Sequence, residues 1–277
     1  MLETGHVYCM DALDGLRQMA DGSIDMMLTS PPYDNLRTYN GYSFDFEGIA
    51  RESYRTLKDG GVLVWVTGDE TVEFSETFTS LRQALHFRDV AGFNALDTMA
   101  YVKQSYAPAY PSLMRYANQF EYMFVFSKGK PSTFNPFQVE KSEASIGPKG
   151  FRQRDGSIQK KTLTDNGRDT KDASNVWVID VGFNKSGDAM SHEHPATFPE
   201  ELARRHILTW SNPGDVVCDP FSGSGTTWKE CLKADRQFIG FEISEEYCNL
   251  SRRRVANWTR DADIEVAPGV TQLGLFA

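Results

Sequence analysis

The sequence predicts an α/β fold built on a mostly parallel sheet. Three observations predict it. Short runs that are apolar throughout, such as Val62-Leu63-Val64-Trp65-Val66, read as strands buried on both faces. Segments with helical spacing, such as Ile49 to Leu57, alternate with them. Gly- and Pro-containing turns mark the junctions, as at Asp59-Gly60-Gly61.

The elements follow in order. Val7-Tyr8-Cys9-Met10 reads as a short strand, Asp14 to Met19 as a short helix and Ile24 to Thr29 as the next strand. The helix Ile49 to Leu57 stops at Asp59-Gly60-Gly61, and the buried strand Val62 to Val66 follows. Glu73 to Leu85 fits another helix. Tyr122-Met123-Phe124-Val125-Phe126 is an aromatic-rich strand closed by Ser127-Lys128-Gly129-Lys130-Pro131. Apolar periodicity then fades until about His192, and only Asn175 to Ile179 stands out as a strand. Pro199 to Trp210 reads as a helix, Val216 to Asp219 as a strand, and Thr226 to Leu232 as a helix start. Gln237 to Glu242 is a strand, and Glu245 to Trp258 closes the fold as a helix. The expected organisation is a core of residues 1–130 and 192–260, a loop-rich insertion at 131–191, and a poorly ordered tail at 261–277.

At 277 residues and 40% hydrophobic, the chain can bury one large core with an inserted subdomain, or two small ones. No apolar run is long enough to span a bilayer, and no secretory signal opens the chain, so a cytoplasmic protein is expected. Cys9, Cys218, Cys231 and Cys248 show neither CxxC pairing nor zinc spacing and are expected as small core residues. His192 and His194 flank Glu193 but lack the helical spacing of a zinc pair, so no metal is expected. The net charge of −9 argues against a polyanionic partner until its distribution is read. Between Lys128 and Lys171 lie ten basic and five acidic residues, a locally basic segment on an acidic body. That is compatible with nucleic-acid contact, and equally with a solvated loop.

Two stretches carry chemistry. Ser30-Pro31-Pro32-Tyr33 follows the strand Ile24 to Thr29. Consecutive prolines remove two backbone donors and fix two φ angles, leaving a stiff loop of free carbonyls. A rigid acceptor ledge beside an aromatic ring suits a planar base with an exocyclic amino group; the alternative is an ordinary Pro-Pro turn. The second stretch is Asp219-Pro220-Phe221-Ser222-Gly223-Ser224-Gly225-Thr226-Thr227, at a strand-to-helix junction. Its glycines allow close backbone approach, and the helix N-terminus favours an anionic group. No Gly-Lys-Ser/Thr follows, and Trp228 replaces the third glycine of a dinucleotide fingerprint. Glu242 ends the next strand, placed to accept from ribose hydroxyls. An adenosine with a short charged tail fits: S-adenosylmethionine, its carboxylate on the helix N-terminus and its ammonium facing Asp219. The alternative for Gly223 and Gly225 is a simple tight turn.

Taken together, the chain resembles the amino-methylating DNA methyltransferases with the β order of motifs, in which the target-amine loop precedes the cofactor loop. Thr29-Ser30-Pro31-Pro32-Tyr33 and Asp219 to Gly225 stand in that order. Cys9-Met10-Asp11-Ala12 resembles the family's cofactor-adenine segment, and Glu121 to Lys128 the strand before its target-recognition region. Glu193-His194-Pro195-Ala196-Thr197-Phe198-Pro199 resembles the segment that helps wrap the cofactor. The resemblance implies a Rossmann-like S-adenosylmethionine-dependent methyltransferase fold, mixed but mostly parallel, with helices on both faces and an inserted target-recognition region. It implies Ser30, Pro31, Pro32 and Tyr33 as catalytic residues. It implies Asp11, Ala12, Thr29, His194, Pro195, Phe198, Glu242 and the run Asp219, Pro220, Phe221, Ser222, Gly223, Ser224, Gly225, Thr226 and Thr227 as cofactor-binding.

In that reading Ser30 and the Pro31 carbonyl accept the amine N–H groups, and Tyr33 stacks on a base flipped from duplex DNA. Cytosine carbon-5 chemistry would need a thiolate, typically from a Pro-Cys pair, and no cysteine follows a proline. Arg37, Tyr39, Lys149, Arg152, Arg154, Lys160, Lys161 and Arg168 are the expected DNA contacts. Ser-Pro-Pro-Tyr leans towards N4 of cytosine, with N6 of adenine the alternative. A protein-glutamine or RNA methyltransferase and a non-catalytic DNA-binding protein of this fold are the more distant rivals. Double-stranded DNA is the expected partner, with a cognate restriction endonuclease, and a monomer or homodimer, left open.

Overall fold

A computed structural model describes residues 2–32, 44–105, 114–140, 147–163, 169–180 and 198–261. The chain begins β1 (His6–Cys9), α1 (Ala12–Arg17), β2 (Ile24–Thr29), α2 (Phe46–Thr56) and β3 (Leu57–Thr67). A small hairpin, β4 (Thr71–Val72) and β5 (Ser75–Glu76), leads to α3 (Thr79–Asp89), β6 (Asn94–Lys103) and β7 (Phe120–Ser127). Then come β8 (Gln138–Glu140), β9 (Gly147–Arg152), β10 (Ile158–Leu163), β11 (Thr170–Asp172) and β12 (Val176–Ile179). The last elements are α4 (Glu200–Trp210), β13 (Val216–Asp219), α5 (Thr226–Lys233), β14 (Gln237–Glu242) and α6 (Glu245–Asp261). Residues Pro136–Ser174 form one compact unit, and the rest of the described chain forms the other.

The larger unit is built on an eight-stranded sheet of order β1-β14-β13-β2-β3-β7-β6-β12. Every neighbouring pair is parallel except those made by β7, which runs antiparallel to both β3 and β6. The expected mixed, mostly parallel sheet is therefore present. Along β3 the side chains alternate between two cores. Val62, Val64 and Val66 face one, with Leu202 and Ile207 of α4, Trp228 of α5 and Val255 of α6. Leu63 and Trp65 face the other, with Leu16 of α1, Ile49 of α2 and Phe87 of α3. Burial on both faces is why this strand is apolar without a break, and it puts helices on both sides of the sheet. Trp65 is fully buried, and its indole N–H donates to Gln83 Oε1 of α3 at 2.8 Å, so its polar atom is satisfied. Cys218, Cys231 and Cys248 are buried as expected, whereas Cys9 ends β1 exposed.

Local signals account for most boundaries. Asp11 caps α1, its Oδ1 accepting from Leu13 N at 2.9 Å, and Asp45 caps α2 by accepting from Gly48 N at 2.9 Å. One expectation fails. Glu73 to Leu85 is not a single helix, because Glu73 and Phe74 adopt φ of 47° and 66° and turn the β4–β5 hairpin. Two consecutive left-handed residues make a tight hairpin turn and cannot continue a right-handed helix. Asp69 then caps α3 from a distance, Oδ1 accepting from Ser80 N at 2.9 Å. In the stretch expected as insertion, β12 pairs with β6 in the main sheet. The smaller unit holds two antiparallel ribbons, β9–β10 and β8–β11. Gly156, at φ 85°, turns the first ribbon, with Ser157 N donating to Asp155 Oδ1 at 2.9 Å.

Candidate active site

The sheet order creates the site. From β13 the chain crosses through α5 to β14 on one side, and from β2 it crosses through α2 to β3 on the other. The crossovers diverge between β13 and β2, and such a switch point opens a crevice at the carboxyl ends of the strands. Ser30-Pro31-Pro32 leaves β2 there, and Asp219-Pro220-Phe221 leaves β13 beside it. Glu242 ends β14, next in the sheet, and Asp11 follows β1 at the edge, where Met10 N donates to Glu242 O at 3.0 Å.

Asp219 joins the two loops. Its Oδ1 accepts from Thr29 Oγ1 at 2.7 Å and from Phe221 N at 3.1 Å, and its Oδ2 accepts from Thr227 Oγ1 at 2.6 Å. Two bonds fill Oδ1, while Oδ2 keeps one acceptor position. Burial outweighs these bonds, and the carboxyl pKa is pushed up from 3.8 to about 6. Thr29 is itself fully buried, and its hydroxyl donates to Asp219.

The glycine loop is fixed from two sides. Gly223 N donates to Glu242 Oε2 at 3.0 Å, and Ser244 N donates to Oε1 at 2.8 Å. Each oxygen keeps a second acceptor position. Burial raises the Glu242 pKa, and the nearby Asp219 charge raises it further. Gly225 opens α5 at φ 79°, and a Cβ there would meet Ser251 Oγ at 2.3 Å. Both the conformation and the space require glycine. Ser222, Ser224, Thr226 and Thr227 are buried, whereas Phe221 is only half-buried and packs against Trp65 and Phe44. The donor set suits an adenosine with a zwitterionic tail: helix N-terminal amides for a carboxylate, Asp219 Oδ2 for an ammonium, and Glu242 for hydroxyls.

The other expected residues divide. Ser30 and Pro32 are half-buried and Pro31 is buried. Ala12 is buried in the α1 core, Pro220 is buried, and Phe198 packs on the α4 side of the sheet. Asp11 is occupied in part by its capping bonds. Arg152, Arg154 and Lys160 are exposed on the β9–β10 ribbon, where the register pairs Lys161 with Lys149. Tyr33, Arg37, Tyr39, Arg168, His194 and Pro195 lie outside the described residues. Trp177 is buried beside His206, their rings 4.6 Å apart, as a core residue. Sequence reasoning missed Ser251 and Arg254 of α6, which pack on the glycine loop. An arginine and a serine in an amphipathic helix read as surface, and no motif signals otherwise.

A doubly wound α/β sheet with a Gly-Ser-Gly loop and a Pro-Pro loop meeting at its switch point places the chain in the Rossmann-like class. The chain belongs to the DNA methylase family, whose N6/N4 amino-methyltransferase pattern matches residues 24–253. It is 48% identical over 245 residues to the orphan methyltransferase M.BamHII of Bacillus amyloliquefaciens, covering 87% of this chain and 91% of that one. It is 30% identical over 257 residues to the DNA adenine methyltransferase YhdJ of Escherichia coli K12, covering 88% and 80%. Among solved structures, the cytosine-N4-specific PvuII DNA methyltransferase shares the fold, with a TM-score of 0.67 and 18% identity over 99% of this chain and 91% of that one. The chain is thus a DNA amino-methyltransferase, acting on N4 of cytosine or N6 of adenine, and its methyl donor is S-adenosylmethionine.

Proposed function

We propose that the chain methylates N4 of a cytosine flipped out of duplex DNA. The observation that carries this reading is Ser30, a neutral hydroxyl residue leading the Pro-Pro loop beside the Asp219 hub. An exocyclic amine is a weak nucleophile because its lone pair is conjugated with the ring. Acceptors at Ser30 Oγ and the Pro31 carbonyl draw its N–H groups out of the ring plane and aim the lone pair. Tyr33 supplies the stacking face. Extruding the base costs a few kcal/mol, which the pocket must offset. Bound S-adenosylmethionine supplies an electrophilic methyl group on a sulfonium. The chain's own part is to hold the two reactants in line, a positioning effect that needs no covalent intermediate.

In the same reading the first turn of α5, from Thr226 and Thr227, receives the donor's carboxylate. Asp219 Oδ2 takes its ammonium, and Glu242 its ribose. Asp11, Ala12, His194, Pro195 and Phe198 line the remainder, and Thr29 acts through Asp219. Lys149, Arg152, Arg154, Lys160, Lys161 and Arg168, with Arg37 and Tyr39, contact the DNA backbone. Their exposure where described, and the local basic charge, support this. The relatives include an adenine enzyme, so the base rests on Ser30 alone. DNA from cells expressing the protein, digested to nucleosides and analysed by mass spectrometry, tests the assignment. N4-methylcytosine is expected; N6-methyladenine alone would show that the serine does not select the base.

A further inference from the structure

One side chain of α6 is charged where its burial calls for an apolar group. Arg254 is 1% exposed. Its Nη1 donates to the Ser224 carbonyl at 2.5 Å and to Ser224 Oγ at 2.8 Å, and lies 3.3 Å from Thr226 Oγ1. Its Nη2 faces Glu200 Oε1 of α4 at 3.6 Å, and the same oxygen accepts from Lys229 Nζ of α5 at 2.7 Å. A buried guanidinium is costly unless its charge is paired and its donors satisfied. Here the glycine loop supplies the acceptors for Nη1, and Glu200 supplies the opposite charge, facing Nη2 at ion-pair rather than hydrogen-bond distance.

The acceptor that matters is the Ser224 carbonyl. It belongs to the same rigid peptide plane as Gly225 N–H. That N–H donates to the Ser222 carbonyl at 2.8 Å. Both ends of one peptide are therefore pinned, one by Arg254 and one by the loop itself. This peptide sets the left-handed φ of 79° at Gly225, from which α5 starts. One turn back along α6, Ser251 closes against Gly225 on the same side. A lysine could not reproduce the contact, because a point charge cannot face Glu200 and bond two loop oxygens as a planar fork does.

We propose that Arg254 is a positioning residue for the methyl donor. It holds the Ser224–Gly225 peptide so that the first-turn amides of α5 are already directed at the donor's carboxylate before the donor arrives. The role rests on reading this loop as the donor site. Nothing in the reaction requires Arg254 to touch the donor.

The test compares the wild-type chain with Arg254→Met and Arg254→Lys. Backbone hydrogen exchange is followed without ligand, S-adenosylmethionine affinity by calorimetry, and steady-state methylation on duplex DNA. Exchange at the amides of residues 224–227 should quicken at least tenfold in Arg254→Met, and donor affinity should fall ten- to hundred-fold. Arg254→Lys should fall between. The methylation rate at saturating donor should stay within about twofold of wild type, so that the loss is in KM for the donor. A lowered melting temperature with unchanged donor affinity would make Arg254 a structural residue only and overturn the proposal. If Arg254→Met does not fold, Arg254→Lys decides, and an affinity within twofold of wild type overturns it. A wild-type chain that binds no S-adenosylmethionine would instead refute the donor-site reading itself.

Discussion

Asp219→Asn separates what stabilises this protein from what lets it work. Burial pushes the Asp219 pKa from 3.8 to about 6, a rise of roughly two units, and each unit is about 1.4 kcal/mol. At neutral pH the folded protein is therefore less stable, by about 3 kcal/mol, than it would be with a carboxylate of ordinary pKa at this position. Asparagine resembles the protonated acid: it is neutral, with one acceptor oxygen for Thr29 and Phe221 and an NH2 facing Thr227. The ligand-free variant should melt about 2–6 °C higher than wild type at pH 7. The difference should shrink as pH falls from 7 towards 4, because the wild-type carboxyl takes up its proton in the folded state over that range. Donor binding should move the other way. A lost charge-assisted bond to the ammonium is worth about 1.5–3 kcal/mol, or ten- to hundred-fold in affinity. Wild-type affinity should also fall below about pH 6, whereas the variant's should not follow that profile. Scanning calorimetry of the free chain and titration calorimetry with S-adenosylmethionine read both effects. A variant that melts below wild type and binds the donor equally well would refute the reasoning.

Other perturbations test neighbouring links. Gly225→Ala places a methyl 2.3 Å from Ser251 Oγ at a left-handed φ, and should cost about 1–3 kcal/mol in denaturant unfolding while abolishing donor binding at micromolar concentrations. Thr29→Val keeps the shape but removes one donor from buried Asp219. Its donor affinity should begin to fall at a higher pH than wild type's, followed by titration calorimetry across pH 5–8. Replacing Arg152, Arg154 and Lys160 together with alanine should reduce the dependence of DNA affinity on salt by about two to three in log–log slope. An unchanged slope in a fluorescence anisotropy titration would remove the ribbon from the DNA contact.

Much of the fold was legible because burial on both faces leaves a plain mark. β14 occupies the expected Gln237 to Glu242, and β13 the expected Val216 to Asp219. β6 escaped notice because its first five residues are exposed, so no apolar run announces it. The β9–β10 ribbon carried a signal that was not used, Asp155-Gly156 at its turn, a common hairpin dipeptide. Glu73 to Leu85 looked helical because composition cannot reveal two left-handed residues in succession. The motif stretches at Ser30 and Asp219 were legible as sequence, but the bonds their side chains make were not. Thr29 was expected at the cofactor, and its bond to Asp219 was not foreseen.

That bond joins residues 190 positions apart, and it shows why motif order in the chain matters little to the chemistry. The Pro-Pro loop follows β2 and the Gly-Ser-Gly loop follows β13, yet the sheet places these strands side by side. Adjacent parallel strands start their carboxyl-end loops about 5 Å apart, whatever their separation in sequence. In the proposed reaction the methyl donor and the amine must meet at roughly 3 Å with their bonds in line. The sheet supplies most of that approach through backbone pairing alone. Asp219 supplies the remainder, since the carboxylate that fixes Thr29 also fixes Phe221 and Thr227. A displacement of either loop strains the other through the same carboxylate. This makes the separation of the two loops a property of one buried side chain, and its energetic cost in the free protein a direct consequence of having to be charged there.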